Sequence, residues 1–197
     1  MKDENKQIIV GTLIGLGFIG TFVGILYLAR NKVKTVASMG IDYVFNKEQE
    51  AFLKDLNPMA VTRFKKFIAD VEQKLGYKVV ITSGYRDFKQ QAKEHASNAK
   101  NAPAGRSYHN YGLAIDINLV KGTKVINKSS PMAVWADSGV LKIAKDNGLT
   151  WGGSFVGYYD PVHFDLQSEV SINTLVDKAI KQFGSLENTV GNKVSIA

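Results

Sequence analysis

Two short segments hold the residues of this chain best able to do chemistry: Ser107-Tyr108-His109-Asn110-Tyr111-Gly112-Leu113-Ala114-Ile115-Asp116 and Asp160-Pro161-Val162-His163. Between them they offer two imidazoles and a carboxylate, His109, Asp116 and His163, a donor set suited to a divalent metal such as Zn2+. A further carboxylate, Asp160, lies three residues before the last histidine and could activate water. Three protein ligands with a fourth position left open distinguish a catalytic zinc site from a closed structural one. The expectation is therefore a zinc hydrolase.

His109 and Asp116 are seven residues apart with Gly112 between them, so one turn leading into a strand would bring both side chains to the same side. Alone such a pair is weak evidence. An Asp flanked by Ala114, Ile115, Ile117 and Leu119 is costly to bury unless it is paired or metal-bound. A structural Lys or Arg partner for Asp116 is the competing reading. Pro161 fixes a rigid turn, so Asp160 and His163 can face one point without a helix. Asp160 then suits a general base; as a fourth ligand it would instead close the site. Asp165 either orients a ligand imidazole or is a plain surface acid. Arg86 closes Ser83-Gly84-Tyr85-Arg86 at a strand end, where it could bind a substrate carboxylate or steady an oxyanion, or form only a structural ion pair. His95 sits in a polar helix and reads as solvated. Tyr111, Tyr158 and Tyr159 could line a groove, whereas core packing is the default for Trp151.

These side chains need a scaffold, and the patterning supplies one. Asn46 caps a helix opening at Lys47. A second helix runs from Met59 to Leu75, with Val61, Phe64, Ile68, Val71 and Leu75 on one stripe, and Gly76 stops it. Lys78 to Thr82 is β-branched and reads as a strand. A helix over Asp87–Ser97 and a loop over Asn98–Tyr108 follow, then a central strand over Leu113–Leu119. Pro131–Asn147 reads as one helix closed by Gly148. Short strands near Leu149–Trp151 and His163–Leu166 precede a helix over Ser171–Phe183, and the last dozen residues are polar and loose. The class is α+β, a small antiparallel sheet flanked by helices. The divisions are a flank at 1–7, an apolar segment at 8–29, a linker at 30–45, a catalytic domain at 46–185 and a tail at 186–197.

The 197 residues contain no cysteine, which excludes disulfides, thiolate zinc sites and thiol nucleophiles. The net charge of +7 would favour polyanions such as cell-wall polymers or lipid headgroups, although a solubilising charge is the preferred reading. No long basic run with interleaved aromatics appears, so nucleic acid is not an expected partner. From Ile8 to Ala29 there is no charged residue. As a helix this stretch would be about 33 Å long, enough to cross a bilayer, and it exceeds the apolar core of a cleavable signal peptide. A transmembrane helix partnered with the lipid bilayer is expected. Gly11, Gly15, Gly20 and Gly24 would permit homo-oligomer contacts through it, although glycine is simply common in membrane helices. The flanking charges, Lys2 and Lys6 against Arg30, Lys32 and Lys34, lean weakly toward a cytoplasmic catalytic domain.

Four ordered segments, Ser83–Arg86, Ser107–Asp116, Trp151-Gly152-Gly153 and Asp160–Phe164, resemble the M15 family of zinc peptidases. That family includes D-alanyl-D-alanine carboxypeptidases and phage L-alanyl-D-glutamate endopeptidases. The resemblance spans roughly Asn46 to Leu166 and implies a hedgehog/DD-peptidase-like fold. It implies zinc on His109, Asp116 and His163, Asp160 as base, Arg86 as substrate or oxyanion group, and Ser107 as a hydrogen-bonding residue near the substrate. It further implies peptidoglycan stem peptides as partners. The Gly148–Gly153 run is most similar to the endolysin branch, which cuts L-Ala–D-Glu bonds, but Ser154-Phe155 departs from its usual Asp-Trp. With the apolar N-terminus, and with the chemistry outweighing a difference of one flanking charge, the expectation is a phage lytic or wall-penetration enzyme in a virion membrane or host inner membrane, facing the wall. The alternatives are a D-alanyl-D-alanine carboxypeptidase and a non-catalytic wall-binding or membrane-assembly protein.

Overall fold

A computed structural model describes residues 43–188 together with 194 and 195. Five antiparallel strands form one sheet: β1 (Lys78–Ser83), β2 (Ala114–Lys121), β3 (Lys124–Ile126), β4 (Thr150–Trp151) and β5 (His163–Asp165). Six helices surround it: α1 (Lys47–Leu53), α2 (Pro58–Asp70), α3 (Phe88–Ser97), α4 (Met132–Asp137), α5 (Val140–Asp146) and α6 (Ile172–Phe183). The strand order is β1-β2-β5-β4, with β3 paired to the far end of β2. The α+β class with a small antiparallel sheet is therefore as expected.

The helix starts follow from their caps. Asn46 and Asp87 each form a reciprocal capping box with the Gln three residues on, satisfying backbone N–H groups that the helix leaves unpaired. Asn57 caps α2, whose first residue is Pro58, so this helix begins one residue earlier than expected. Its apolar stripe buries Phe64, Phe67 and Ile68, and a π turn, Val71–Leu75, ends it at Gly76. The expected helix over Pro131–Asn147 is two helices. Gly139 between them has φ +80°, and Ser138 Oγ bonds the Trp135 carbonyl at 2.6 Å while accepting from Val140 N–H. The β2–β3 hairpin, turning at Gly122, was not anticipated because Lys124–Ile126 is too short to show a pattern.

The core lies between the sheet and the helices. Phe64, Phe67, Ile115, Ile117, Trp135 and Phe164 are fully buried in it, and Phe67 and Phe164 approach to 5.1 Å between ring centroids. Asp70 ties α2 to this core. Burial pushes its carboxyl up, but Lys66, Lys74 and Asn147 bond it and bring it down to about 2 from 3.8. A carboxylate depressed on folding stabilises above its unfolded pKa and ceases to do so as pH falls through the folded one. Between pH 4 and about 2, wild type is expected to lose up to ~2 kcal/mol that Asp70→Asn does not lose; denaturant melts across that window measure it.

The expected membrane span needs correction. Among the described residues no helix is long and apolar enough to cross a membrane. The longest, α2, has 13 residues, or about 20 Å against a hydrocarbon core of roughly 30 Å, and it carries Arg63, Lys65, Lys66 and Asp70. Residues 8–29 lie outside the described residues. Membrane anchoring, a lipid-bilayer partner, oligomerisation through that segment and a virion or host inner membrane location are thus without support and are withdrawn. In the C-terminal tail, Val194 is buried, and its carbonyl accepts from Asn57 Nδ2 at 3.2 Å.

Candidate metal centre

Sheet register builds the site. Asp116 on β2 lies opposite Ser83 of β1 on one side and His163 of β5 on the other. Alternation along β5 places His163 and Asp165 on one face and sends Phe164 into the core. His109 arrives from a 3-10 turn, Tyr108–Tyr111, capped by Ser107, whose Oγ accepts from His109 N–H at 3.4 Å. Gly112 then reverses the chain into β2 with φ +64°, and a Cβ there would lie 2.5 Å from the Asn57 backbone nitrogen. No other residue fits, which is why a glycine stands between the two candidate ligands.

The three donors form a near-equilateral triangle. His109 Nε2 to Asp116 Oδ1, His163 Nδ1 to Asp116 Oδ1, and His109 Nε2 to His163 Nδ1 are each 3.1 Å. Bond lengths of about 2.0–2.1 Å around tetrahedral zinc imply donor separations of roughly 3.3 Å. The triangle fits such an ion. Outer partners select the tautomers. His109 Nδ1 donates to the Gly84 carbonyl at 2.7 Å, and His163 Nε2 donates to Asp165 Oδ2 at 3.0 Å. Each remaining nitrogen thereby faces Asp116 and has a lone pair to offer an ion once its proton is displaced.

The electrostatics favour a cation at this point. Burial raises the Asp116 carboxyl, yet the two histidines beside it hold it well below the ordinary range. Burial likewise opposes charge on His163, but hydrogen bonds and charge from Asp116 and Asp165 raise it to about 10. A metal would displace that proton and take over the role of positive partner. Asp165 is fully buried and also accepts from Gln167 N–H, so it is not a surface acid. Asp165→Asn is expected to weaken zinc affinity by about 10–100-fold, read by competition with a chelating dye.

Asp160 adjoins this triangle. Its Oδ1 is buried with no hydrogen-bond partner, and burial together with the Asp116 charge raises its pKa. The turn that carries it closes through His163 N–H to the Asp160 carbonyl, 3.2 Å. Trp151-Gly152-Gly153 holds this turn: Trp151 Nε1 donates to the Pro161 carbonyl at 2.8 Å, and a Cβ on Gly152 would lie 2.6 Å from the Asp160 carbonyl oxygen. Trp151 is thus a clamp on the turn as well as a packing residue. Arg86 Nη2 bonds Ser83 Oγ at 2.9 Å and reaches Asp116 Oδ2 at 3.5 Å, and Nη1 bonds Gln91 Oε1 at 2.9 Å. The sequence-level alternatives for Asp116, metal ligand or partner of an arginine, coexist on its two oxygens. His109, Asp116, Asp160, His163, Arg86 and Ser107 all line one cleft of about 950 Å³.

Several positioning groups escaped sequence reasoning. Asn110 is fully buried, donates to the Arg86 carbonyl at 2.8 Å and accepts from Gly105 N–H at 2.9 Å, binding three loops together. Gln91 and the Gly84 carbonyl act similarly on Arg86 and His109. Only Asn110's place beside His109 could have signalled it. Tyr111 is buried, its hydroxyl bonding the Gly105 carbonyl, and does not line the cleft. His95 bonds the Asn101 carbonyl rather than solvent alone and takes no part in the cluster.

A five-stranded antiparallel sheet presenting a His-Asp-His triangle beside an unpartnered carboxylate defines a zinc-dependent hydrolase site. The sequence comparisons name the family. A profile described as D-alanyl-D-alanine carboxypeptidase matches residues 100–166. The peptidoglycan L-alanyl-D-glutamate endopeptidase CwlK of Bacillus subtilis is 34% identical over 126 residues, covering 57% of this chain and 74% of that protein. The chain belongs to this family, the M15 zinc peptidases, and carries its catalytic zinc-metallopeptidase domain. Among solved structures, the L-Ala D-Glu endopeptidase ChiX of Serratia marcescens aligns with TM-score 0.47 and 22% identity over 62% of this chain and 88% of that one. The vancomycin-resistance D,D-dipeptidase VanXYg aligns with TM-score 0.42 and 21% identity over 67% and 57%. The expectation of a bacteriophage enzyme finds no support among these relatives and is withdrawn.

Proposed function

We infer that the chain is a zinc-dependent peptidoglycan peptidase that cleaves stem peptides at the L-Ala–D-Glu bond, its catalytic unit lying within residues 46–185. The observation that carries this reading is the 3.1 Å triangle of His109, Asp116 and His163 with both imidazole tautomers fixed from behind. The CwlK likeness supports the bond and the substrate class.

His109 Nε2, Asp116 Oδ1 and His163 Nδ1 would hold the ion, which when bound polarises the scissile carbonyl and makes water a better nucleophile. Asp160 accepts the proton from the attacking water and returns it to the leaving nitrogen. Its buried Oδ1, which has no hydrogen-bond partner among the described residues, leaves the carboxyl available for that transfer. Arg86, held by Ser83, Gln91 and Asp116, presents positive charge to the carbonyl oxygen as it gains negative charge. Ser107 serves through the turn it caps, keeping His109 in place.

Digestion of defined muropeptides with the full chain, followed by mass spectrometry, tests this. Products with new D-Glu amino termini, lost on chelation, are the expected result. The family profile's description favours a second reading, a D-alanyl-D-alanine carboxypeptidase; release of free D-Ala instead would establish it. Wall binding with no bond cleaved by zinc-loaded protein would refute both.

A further inference from the structure

The cleft has a cation that the chemistry above leaves unused. Lys128 stands on the turn after β3 and lines the same cleft as Asp160 and His163. None of the ion pairs among the described residues uses it. Tyr158 and Asp160 line that cleft with it.

The turn beneath it is rigid. Asn127 N–H donates to Ser130 Oγ at 3.0 Å, Ser129 N–H to Asn127 Oδ1 at 3.0 Å, and Ser130 N–H to the Asn127 carbonyl at 2.9 Å. Two aromatic residues moor it: buried Trp135 donates from Nε1 to the Asn127 carbonyl, and Tyr159 donates from its hydroxyl to the Ser130 carbonyl. Tyr159 immediately precedes Asp160, so the Lys128 turn is fastened to the segment carrying the shuttle.

The geometry also says which side of the bond Lys128 serves. Arg86 is bound to Asp116 and so belongs to the carbonyl side. Asp160 must reach the leaving nitrogen to protonate it, and the Lys128 turn is fastened through the Tyr159 hydroxyl to the segment that carries Asp160, which puts Lys128 on the leaving-group side. In an L-Ala–D-Glu junction linked onward through the side-chain carboxyl, the carbon bearing that nitrogen also bears a free α-carboxylate.

We propose that Lys128 is a specificity-determining residue that binds the carboxylate adjacent to the scissile nitrogen. This rests on the peptidase reading above. It divides the cations of the cleft into Arg86 for the developing charge on the carbonyl and Lys128 for the fixed charge on the leaving group. Lys100 and Arg106, which line the same cleft from the Asn98–Ser107 loop, are the rival cations, Arg106 donating to Asn173 Oδ1 at 2.7 Å.

The test uses the full-length zinc-loaded chain and two synthetic peptides, L-Ala-γ-D-Glu-L-Lys and its counterpart with the D-Glu α-carboxylate converted to an amide. Lys128→Gln is expected to lower kcat/KM on the acid peptide about tenfold more than on the amide peptide, the scale of one solvent-accessible charge-assisted bond, any loss common to both peptides reporting the charge that Lys128 adds to the cleft. Lys128→Arg should restore most of the loss. Equal loss on both peptides, no loss on either, or loss of the preference with Lys100→Gln or Arg106→Gln instead overturns the proposal. Calorimetric binding of both peptides separates this outcome from failure of the peptidase reading. Lys128-dependent preference for the acid without cleavage upholds the subsite and refutes the peptidase. Cleavage of both peptides at equal efficiency upholds the peptidase and refutes the subsite.

Discussion

A His109→Ala chain is expected to lose zinc and to fall in peptidase activity by more than the roughly 100-fold that loss of an outer partner of a ligand costs. Nε2 of this residue makes two of the three 3.1 Å edges of the triangle, so its removal leaves two protein donors where a catalytic zinc site needs three. The change also strips the Gly84 carbonyl of its donor, a penalty of about 1–3 kcal/mol. A folded, less stable protein without metal is therefore the predicted product. Zinc content by elemental mass spectrometry, thermal melting and muropeptide digestion report the three consequences separately. Retention of zinc and activity would remove His109 from the site.

Asp160→Asn is expected to act on the rate alone. The amide preserves the size of the side chain but cannot accept and return a proton, so kcat should drop by about 10²–10⁴-fold, the range for loss of a positioned general base. Zinc content should remain that of the wild type, because the donor triangle is complete without Asp160. The same variant decides between the two roles open from the sequence: were Asp160 a fourth ligand, zinc affinity would fall with it. Since Oδ1 has no protein partner to lose and the neutral amide relieves the burial and the Asp116 repulsion that disfavour the carboxylate, stability of the metal-free protein should not fall and should rise at neutral pH. Stopped assays over the substrate range separate the kcat effect from any change in KM.

The ease with which the site could be read follows from how locally each part is encoded. The cap at Asn46, the stop at Gly76 and the β-branched run of β1 are short-range signals, and each element lies close to its expected place; Asp87, expected as the first residue of its helix, is instead its cap. The ligand types and their order were legible because a metal demands particular donors and Gly112 is the only residue that the intervening turn accepts. The split of the 131–147 helix was hidden because Gly139 alone does not reveal that Ser138 will redirect its hydrogen bonds. The N-terminal apolar run misdirected the account of location, since hydropathy in one segment says nothing about where the chemistry occurs.

The amino-acid order determined which groups could hold zinc, which carboxylate was spare and that a tight turn must stand between His109 and Asp116. It also determined the absence of thiol chemistry. The tertiary structure alone decided how these groups are aimed. His109 takes its tautomer from the carbonyl of Gly84, 25 positions away, and meets His163 across 54 positions. Arg86 is divided among Ser83, Gln91 and Asp116, while Asp160 is left with an unpaired oxygen. The physical reason is that donor identity is carried by single residues, whereas the orientation of a lone pair depends on partners that only strand register and loop packing bring within hydrogen-bond reach.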